Sequence, residues 1–133
     1  MAQLDEKTRT FLNEKRFAVL ATLNADGTIQ QTVMWYLLDG DEVVMNTAAG
    51  RVKDGNLRRN PNVSICIEDG YRFVTLSGPV RLSEDQATAQ ADIRRLAERY
   101  GDEGDDIEED TKHFREQQRV SIRMTVERVI VRT

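Results

Sequence analysis

The chain has 133 residues, 39% of them hydrophobic and 32% charged, with a formal net charge of −4. That length and balance suit one soluble domain spanning residues 1–133, large enough to bury a core unaided, and the negative charge argues against bulk binding to nucleic acid or anionic membrane. A lone cysteine, Cys66, excludes an internal disulfide and fits a reducing cytoplasm; no apolar run approaches the roughly 20 residues of a membrane helix, and residues 1–7 lack a signal-peptide apolar stretch.

Residues 5–13 read as a short helix that offers Phe11 and Leu12 to the interior. A strand-like run follows at 17–23, and the turn Asn24-Ala25-Asp26-Gly27 leads into a second at 28–38. Asp-Gly between two β-prone runs is a strong hairpin signal. Asp39-Gly40-Asp41 turns the chain again into a third strand at 42–47. Ala48-Ala49-Gly50 breaks it, and 51–59 reads as a short helix stopped by Asn60-Pro61. Strands at 63–68 and 71–82 are joined at Asp69-Gly70. Ser83-Glu84-Asp85-Gln86 has the form of a capping box and opens a helix to about Tyr100, with Ala87, Ala91, Ile93, Leu96 and Ala97 as its inner face. Residues 101–110 carry seven acids and no base, the mark of a solvated loop. Residues 112–118 read as helical, and 120–131 as a closing strand with Val120, Ile122, Met124 and Val126 on one face. Six antiparallel strands with peripheral helices predict a mainly β architecture closed into one barrel, since closure removes exposed edges.

The chemistry concentrates at residues 46–61. Small residues end a strand and lead into a helix whose first turn carries Arg51 and Lys53. Free N–H groups at a helix start attract anions, and two cations beside them reinforce this. The same pattern also suits a solvated basic helix. Gly55 inside that helix is costly, roughly 1 kcal/mol against Ala, and suggests close approach of backbone or ligand. Residues 28–38 are the second candidate: Gln30, Gln31 and Thr32 followed by Trp35 and Tyr36 could line a pocket for a planar polar ring, or Trp35 could simply fill the core. His113 is the only histidine and reads as a surface residue; Cys66 reads as a small hydrophobe in a strand. No metal cluster and no acid–base or nucleophile constellation can be assembled, so no side chain is assigned as catalytic. If the protein is an enzyme, a cofactor carries the chemistry.

The run 17–23, Asp26-Gly27, Met34-Trp35-Tyr36 and the stretch Arg51-x-Lys53-x-x-Asn56-Leu57-Arg58-Arg59-Asn60-Pro61-x-Val63 resembles the pyridoxamine 5′-phosphate oxidase-like, FMN-binding split-barrel superfamily. Within it, the likeness is greatest to the small deazaflavin (coenzyme F420)-dependent oxidoreductases, and it extends from about Phe11 to the C-terminus. The resemblance implies a six-stranded split β-barrel that forms a homodimer with two cofactor sites at the subunit interface. It implies that Arg51 and Lys53 bind the cofactor phosphate, that Asn46 and Thr47 lie beside it, and that Thr32, Met34 and Trp35 run along the ring and ribityl chain. Asn56 matches a helix asparagine whose role could be structural. The implied function is reduction of a small organic substrate by hydride from a bound deazaflavin. The alternatives are an FMN flavoprotein oxidoreductase of the same fold and a non-catalytic cofactor- or heme-binding barrel. The long C-terminal extension that completes the vitamin B6 site in true pyridoxamine phosphate oxidases has no counterpart here. Arg58 and Arg59, about two turns beyond Arg51, would extend the basic surface toward the anionic oligoglutamate tail of a deazaflavin; they could equally complement the helix C-terminus.

Overall fold

The computed structural model describes residues 2–132; Met1 and Thr133 lie outside the described residues. Helix α1 (Glu6–Asn13) is capped by Asp5, whose carboxylate accepts from the Thr8 N–H at 2.8 Å. The Asp26-Gly27 turn then folds β1 (Ala18–Leu23) and β2 (Ile29–Met34) into the expected hairpin, with Leu20 opposite Thr32. A second hairpin joins β3 (Leu37–Asp39) to β4 (Glu42–Ala48). Helix α2 (Val52–Arg59) follows, then the long hairpin of β5 (Asn62–Asp69) and β6 (Arg72–Ser83). Helix α3 (Gln86–Tyr100), two single turns α4 (Ile107–Asp110) and α5 (Lys112–Arg115), and strands β7 (Arg119–Thr125) and β8 (Arg128–Arg132) complete the chain.

The strands follow the order β2-β1-β5-β6-β7-β4-β3, all antiparallel, with β8 also on β6. Six strand-forming segments become eight strands because two of them break. Segment 28–38 bends at Trp35-Tyr36, so that β2 pairs with β1 while β3 pairs with β4. Segment 120–131 breaks at Val126-Glu127, and the pairing with β6 slips by one residue there: Met124 faces Val80, yet Arg128 faces Ser77. This is a β-bulge, which turns a strand by leaving one residue unpaired. The result is an open, curled antiparallel sheet in two blocks sharing β6, a split barrel rather than the single closed barrel that pattern alone suggested.

Leu20, Ile65, Ile67, Leu76, Ile122 and Met124 fill the interior, and α1 closes one end with Phe11 and Leu12. Tyr36 is fully buried; its hydroxyl donates to the Leu12 carbonyl at 2.7 Å, and burial pushes its pKa up to about 12.

Helix α3 differs from expectation at both its start and its inner face. Its N-cap is Asp85, accepting from the Thr88 N–H at 3.2 Å, because Ser83 still belongs to β6. Ala87 and Ala91 are exposed, and the buried face is Ala89, Asp92, Ile93, Leu96 and Ala97. Asp92 accepts from the Ser121 hydroxyl and from Arg123 Nη2 at 3.0 and 3.2 Å. An apolar helix face was expected to hold α3 on the sheet; a buried carboxylate shares that task, and sequence periodicity does not register such a residue. The acidic stretch 101–110 contains the turn α4, capped by Asp106, and the predicted helix at 112–118 contracts to α5. No helix among the described residues is long and apolar enough to cross a membrane.

Gly78 sits where β6 meets the bulge. A Cβ built there would lie 1.9 Å from the Thr125 carbonyl oxygen and 3.2 Å from the Glu127 nitrogen. Both are backbone atoms, locked by the Glu127 N–H donating to the Ser77 carbonyl at 2.8 Å. Gly78→Ala is therefore expected to lower unfolding free energy by about 1–3 kcal/mol, read as a lower denaturation midpoint with an unchanged slope.

Candidate functional site

The junction between β4 and α2 is built from small residues. Gly50, at φ 84°, reverses the chain after Ala48-Ala49, a conformation L side chains rarely adopt. Its N–H donates to the Asp54 carboxylate at 2.9 Å, which fixes the entry into α2. Arg51 occupies the N-cap position and makes no side-chain cap. The first N–H groups of α2 therefore have no capping side chain, and they carry the positive end of the helix dipole.

Beside this junction lies an open cleft of about 260 Å³. Thr32, Met34 and Trp35 come from the bend of β2; Asn46 and Thr47 come from β4; Arg51 and Lys53 come from the start of α2. Seven of the eight residues singled out in the sequence thus meet in one place. Trp35 is neither core nor solvent: it lies partly buried along the cleft, stacked on Tyr100 at 5.3 Å. Asn56 stands apart. The nitrogen of its fully buried amide shares two N–H groups among Asn24 Oδ1 at 2.9 Å, Thr22 Oγ1 at 3.1 Å and Gln30 Oε1 at 3.3 Å, and its oxygen accepts from Arg59 at 2.6 Å. It fastens α2 to the first hairpin and does not line the cleft.

Five further residues line the cleft: Val33, Arg119, Phe114, Ile93 and Leu96. Arg119 matters most for charge. It pairs opposite Ala48, and its Nε donates to Asn46 Oδ1 at 2.9 Å while Nη1 donates to Gln117 Oε1 at 2.7 Å. Its guanidinium carbon lies 4.9 Å from the Phe114 ring centre. Its only sequence signal was an arginine immediately before the closing strand, and the β4–β7 pairing is what carries it to the junction.

Lys53 is 8% exposed and Arg119 5% exposed, and among the described residues neither they nor Arg51 form an ion pair. Burial, then the charges of Arg51 and Arg119, hold Lys53 below its ordinary value. Burial, then Arg51, bring Arg119 down to about 10, still charged at neutral pH. The Thr47 hydroxyl is buried and has no hydrogen-bond partner. Three crowded cations, an orphaned hydroxyl and a helix start without a capping side chain form a donor set that fits a phosphate group.

The rest of α2 is less available than its sequence suggested. Arg58 is paired with Asp54 at 2.9 Å and Glu84 at 3.2 Å, and Arg59 is bound to Asn56. Neither adds a free cation to the cleft as the structure stands. Gly55 meets no backbone: a Cβ there would find only the Arg59 side chain, at 3.9 Å, so packing gives no reason for glycine. His113 is exposed against Phe114, and Cys66 is half-buried on β5.

A sheet split at one bent segment, with a cationic cleft at a strand-to-helix junction, defines the class as an antiparallel split barrel. The family model described as Pyridoxamine 5′-phosphate oxidase matches residues 4–132, and the chain belongs to that family. Among solved structures, a conserved hypothetical protein of Mycobacterium tuberculosis, Rv2991, is 29% identical, with a TM-score of 0.82 over 98% of this chain and 85% of that one. A protein described as an F420 reductase is 25% identical, with a TM-score of 0.77 over 96% of this chain and 98% of its own. General Stress Protein 26 of Bacillus anthracis, at 17% identity and a TM-score of 0.69 over 95% and 91% of the two chains, shares the fold.

The depressed Lys53 gives a pH test. A bound phosphate would raise its pKa toward or above the ordinary 10.5, so binding takes up protons. Affinity for a phosphate-bearing ligand should be full below the cofactor-free Lys53 pKa and fall as pH climbs from there toward 10.5. Titrations across that range should show the decline, and Lys53→Met should make it shallower, leaving the part that Arg119 contributes near pH 10.

Proposed function

We propose that this cleft binds the phosphate and ring of a flavin-type cofactor, and that the protein is an oxidoreductase using a deazaflavin, coenzyme F420, to reduce a small organic substrate. The observation that carries the reading is the set of three unpaired cations, Arg51, Lys53 and Arg119, around the orphaned Thr47 hydroxyl. The F420 reductase among the similar structures supports the choice of deazaflavin. When bound, the ring supplies hydride from its C5 position. The chain's own residues bind and orient: Arg51 and Lys53 hold the phosphate, Arg119 is aimed by Asn46 and Gln117, and Trp35 and Met34 lie along the ring. No side chain is required as a strong acid or base.

FMN is the second reading. The ion pairs of Arg58 with Asp54 and Glu84 favour it, because they concentrate the free positive charge on a single phosphate rather than along a polyanionic tail.

One chain does not enclose such a ligand. Sites for molecules of this size occupy roughly 300–1,000 Å³ and cover most of the ligand, whereas this cleft is about 260 Å³ and open. The outer face of β2 presents Ile29 at 66% and Val33 at 64% exposure beside Leu23 of β1. These apolar side chains suit a second copy that would complete the site, giving a symmetric homodimer.

Titration of cofactor-free protein with FMN and with coenzyme F420 tests the assignment. Tighter binding of the deazaflavin is expected, weakening as salt rises. Arg51→Ala with Lys53→Ala should weaken binding at least tenfold, or roughly 1.4 kcal/mol. Unchanged affinity in the folded double variant would overturn the phosphate site, and tighter FMN binding would move the protein to the second reading. Light scattering should give a mass of about 30 kDa, twice the 15.2 kDa chain, and Ile29→Glu should halve it. A wild-type monomer with cofactor bound would refute the shared site.

A further inference from the structure

A second cavity, of about 420 Å³, adjoins the cleft between α3, α4 and α5. Trp35 and Phe114 line both spaces. Its walls are aromatic and rigid. Trp35 lies on Tyr100 with 7° between planes, Phe17 covers the far face of that stack at 5.3 Å from Tyr100, and Phe114 stands edge-on to Trp35 at 78°. The Tyr100 hydroxyl donates to the Arg16 carbonyl and accepts from the Tyr36 N–H at 3.2 Å, so the stack cannot swing.

The cavity's charge is opposite to that of the cleft. No lysine or arginine lines it; Asp105 and Asp110 do, with His113 beside them. Among the described residues neither aspartate forms an ion pair. Residues 101–115 hold seven acids against Lys112 and Arg115. Of the cations around it, Arg94 pairs with Glu98 and Glu108, Arg115 with Glu108 at 3.7 Å, and Arg99, 5.4 Å over the Tyr100 ring, donates to the Leu12 and Glu14 carbonyls; Lys112, between the lining residues Thr111 and His113, forms no ion pair among the described residues. Asp105 accepts from the Asp102 N–H at 2.7 Å, which holds its carboxylate at the rim.

We infer that this cavity, walled by Trp35, Tyr100 and Phe114 and rimmed by Asp105 and Asp110, binds planar aromatic cations. Tyr100 is covered by Trp35 and Phe17, and Phe114 already carries the Arg119 guanidinium at 4.9 Å, so Trp35 supplies the surface for stacking and cation–π attraction; the carboxylates supply the sign, and the volume accommodates a two-ring heterocycle. As a binding site the cavity stands by itself; as the substrate pocket of the enzyme it rests on the cofactor reading above. In that role the two compartments divide by charge, the anionic cofactor at Arg51, Lys53 and Arg119 and the cationic substrate at Asp105 and Asp110, with Trp35 between them.

Calorimetric titration of the protein, with its cationic cleft occupied by saturating inorganic phosphate, with N-methylquinolinium and with quinoline-4-carboxylate, two probes of similar shape and opposite charge, tests the inference. Trp35 is the only tryptophan, so its fluorescence gives an independent readout of occupancy beside it. The cation should bind roughly fivefold more tightly than the anion, a preference in keeping with exposed charges, and added salt should reduce it. Asp105→Asn with Asp110→Asn keeps the side-chain shapes and the acceptor for the Asp102 N–H, and should abolish the preference. The same variant should bind FMN and coenzyme F420 as the wild type does. Equal or tighter binding of the anion, or a preference that survives in the double variant, would overturn the inference. Failure of the cofactor titrations with the cation preference intact would instead sink the cofactor reading and leave this site standing.

Discussion

One stretch of chain, residues 29–39, supplies both end strands of the sheet, and the bend at Trp35-Tyr36 carries it from β1 to β4. A strand that changes partners must leave backbone groups unpaired at the change, and a buried unpaired N–H or carbonyl is costly. Tyr100 meets part of that need: its hydroxyl accepts from the Tyr36 N–H at 3.2 Å and gives its own proton to the Arg16 carbonyl beside the bend. Tyr36 then points inward to Leu12, while Trp35 turns outward onto Tyr100. The same bend opens the wall of the cleft and exposes the aromatic face shared with the neighbouring cavity. Anchoring of α3 on β7 through Asp92, Ser121 and Arg123 keeps Tyr100 in reach of that bend.

The cleft is electrostatically unfinished within the single chain. Acids are plentiful in this protein, yet those near the site are committed: Asp54 to Gly50 and Arg58, Asp92 to Ser121 and Arg123. Lys53 and Arg119 are buried beside Arg51 without a carboxylate, so the fold carries a desolvation and repulsion cost that an anion would relieve. A cost of this kind at the strand-to-helix junction sets these charges apart from those of an ordinary basic helix, which face water.

Charge is also distributed across the molecule with a direction. Cations gather where β4 enters α2, and acids gather in 102–110, with Trp35 and Phe114 between. A net charge of −4 conceals this division, because the two regions are 50 residues apart in sequence and adjacent in space.

The sequence by itself determined the hairpins, since Asp-Gly turns flanked by β-prone runs act over a few residues. It also singled out the junction at 46–53, because a strand end, small residues and a helix start are contiguous there, while leaving open whether its cations serve a ligand or only solvate the helix. Tertiary structure alone decided the rest. Arg119 reaches the cleft only through β4–β7 pairing across more than 70 residues. Asn56 turned inward to the first hairpin, and Arg58 found Glu84, through contacts no local pattern encodes. Asp92 replaced Ala91 on the inner face of α3 because a buried carboxylate with two partners is invisible to hydrophobic periodicity. The splitting of two strands followed from closure of the sheet, where Gly78 makes room for the bulge and Tyr100 accepts the Tyr36 N–H at the bend. Local rules fix which residues can turn and which can extend; where a long strand must break is set by what it packs against.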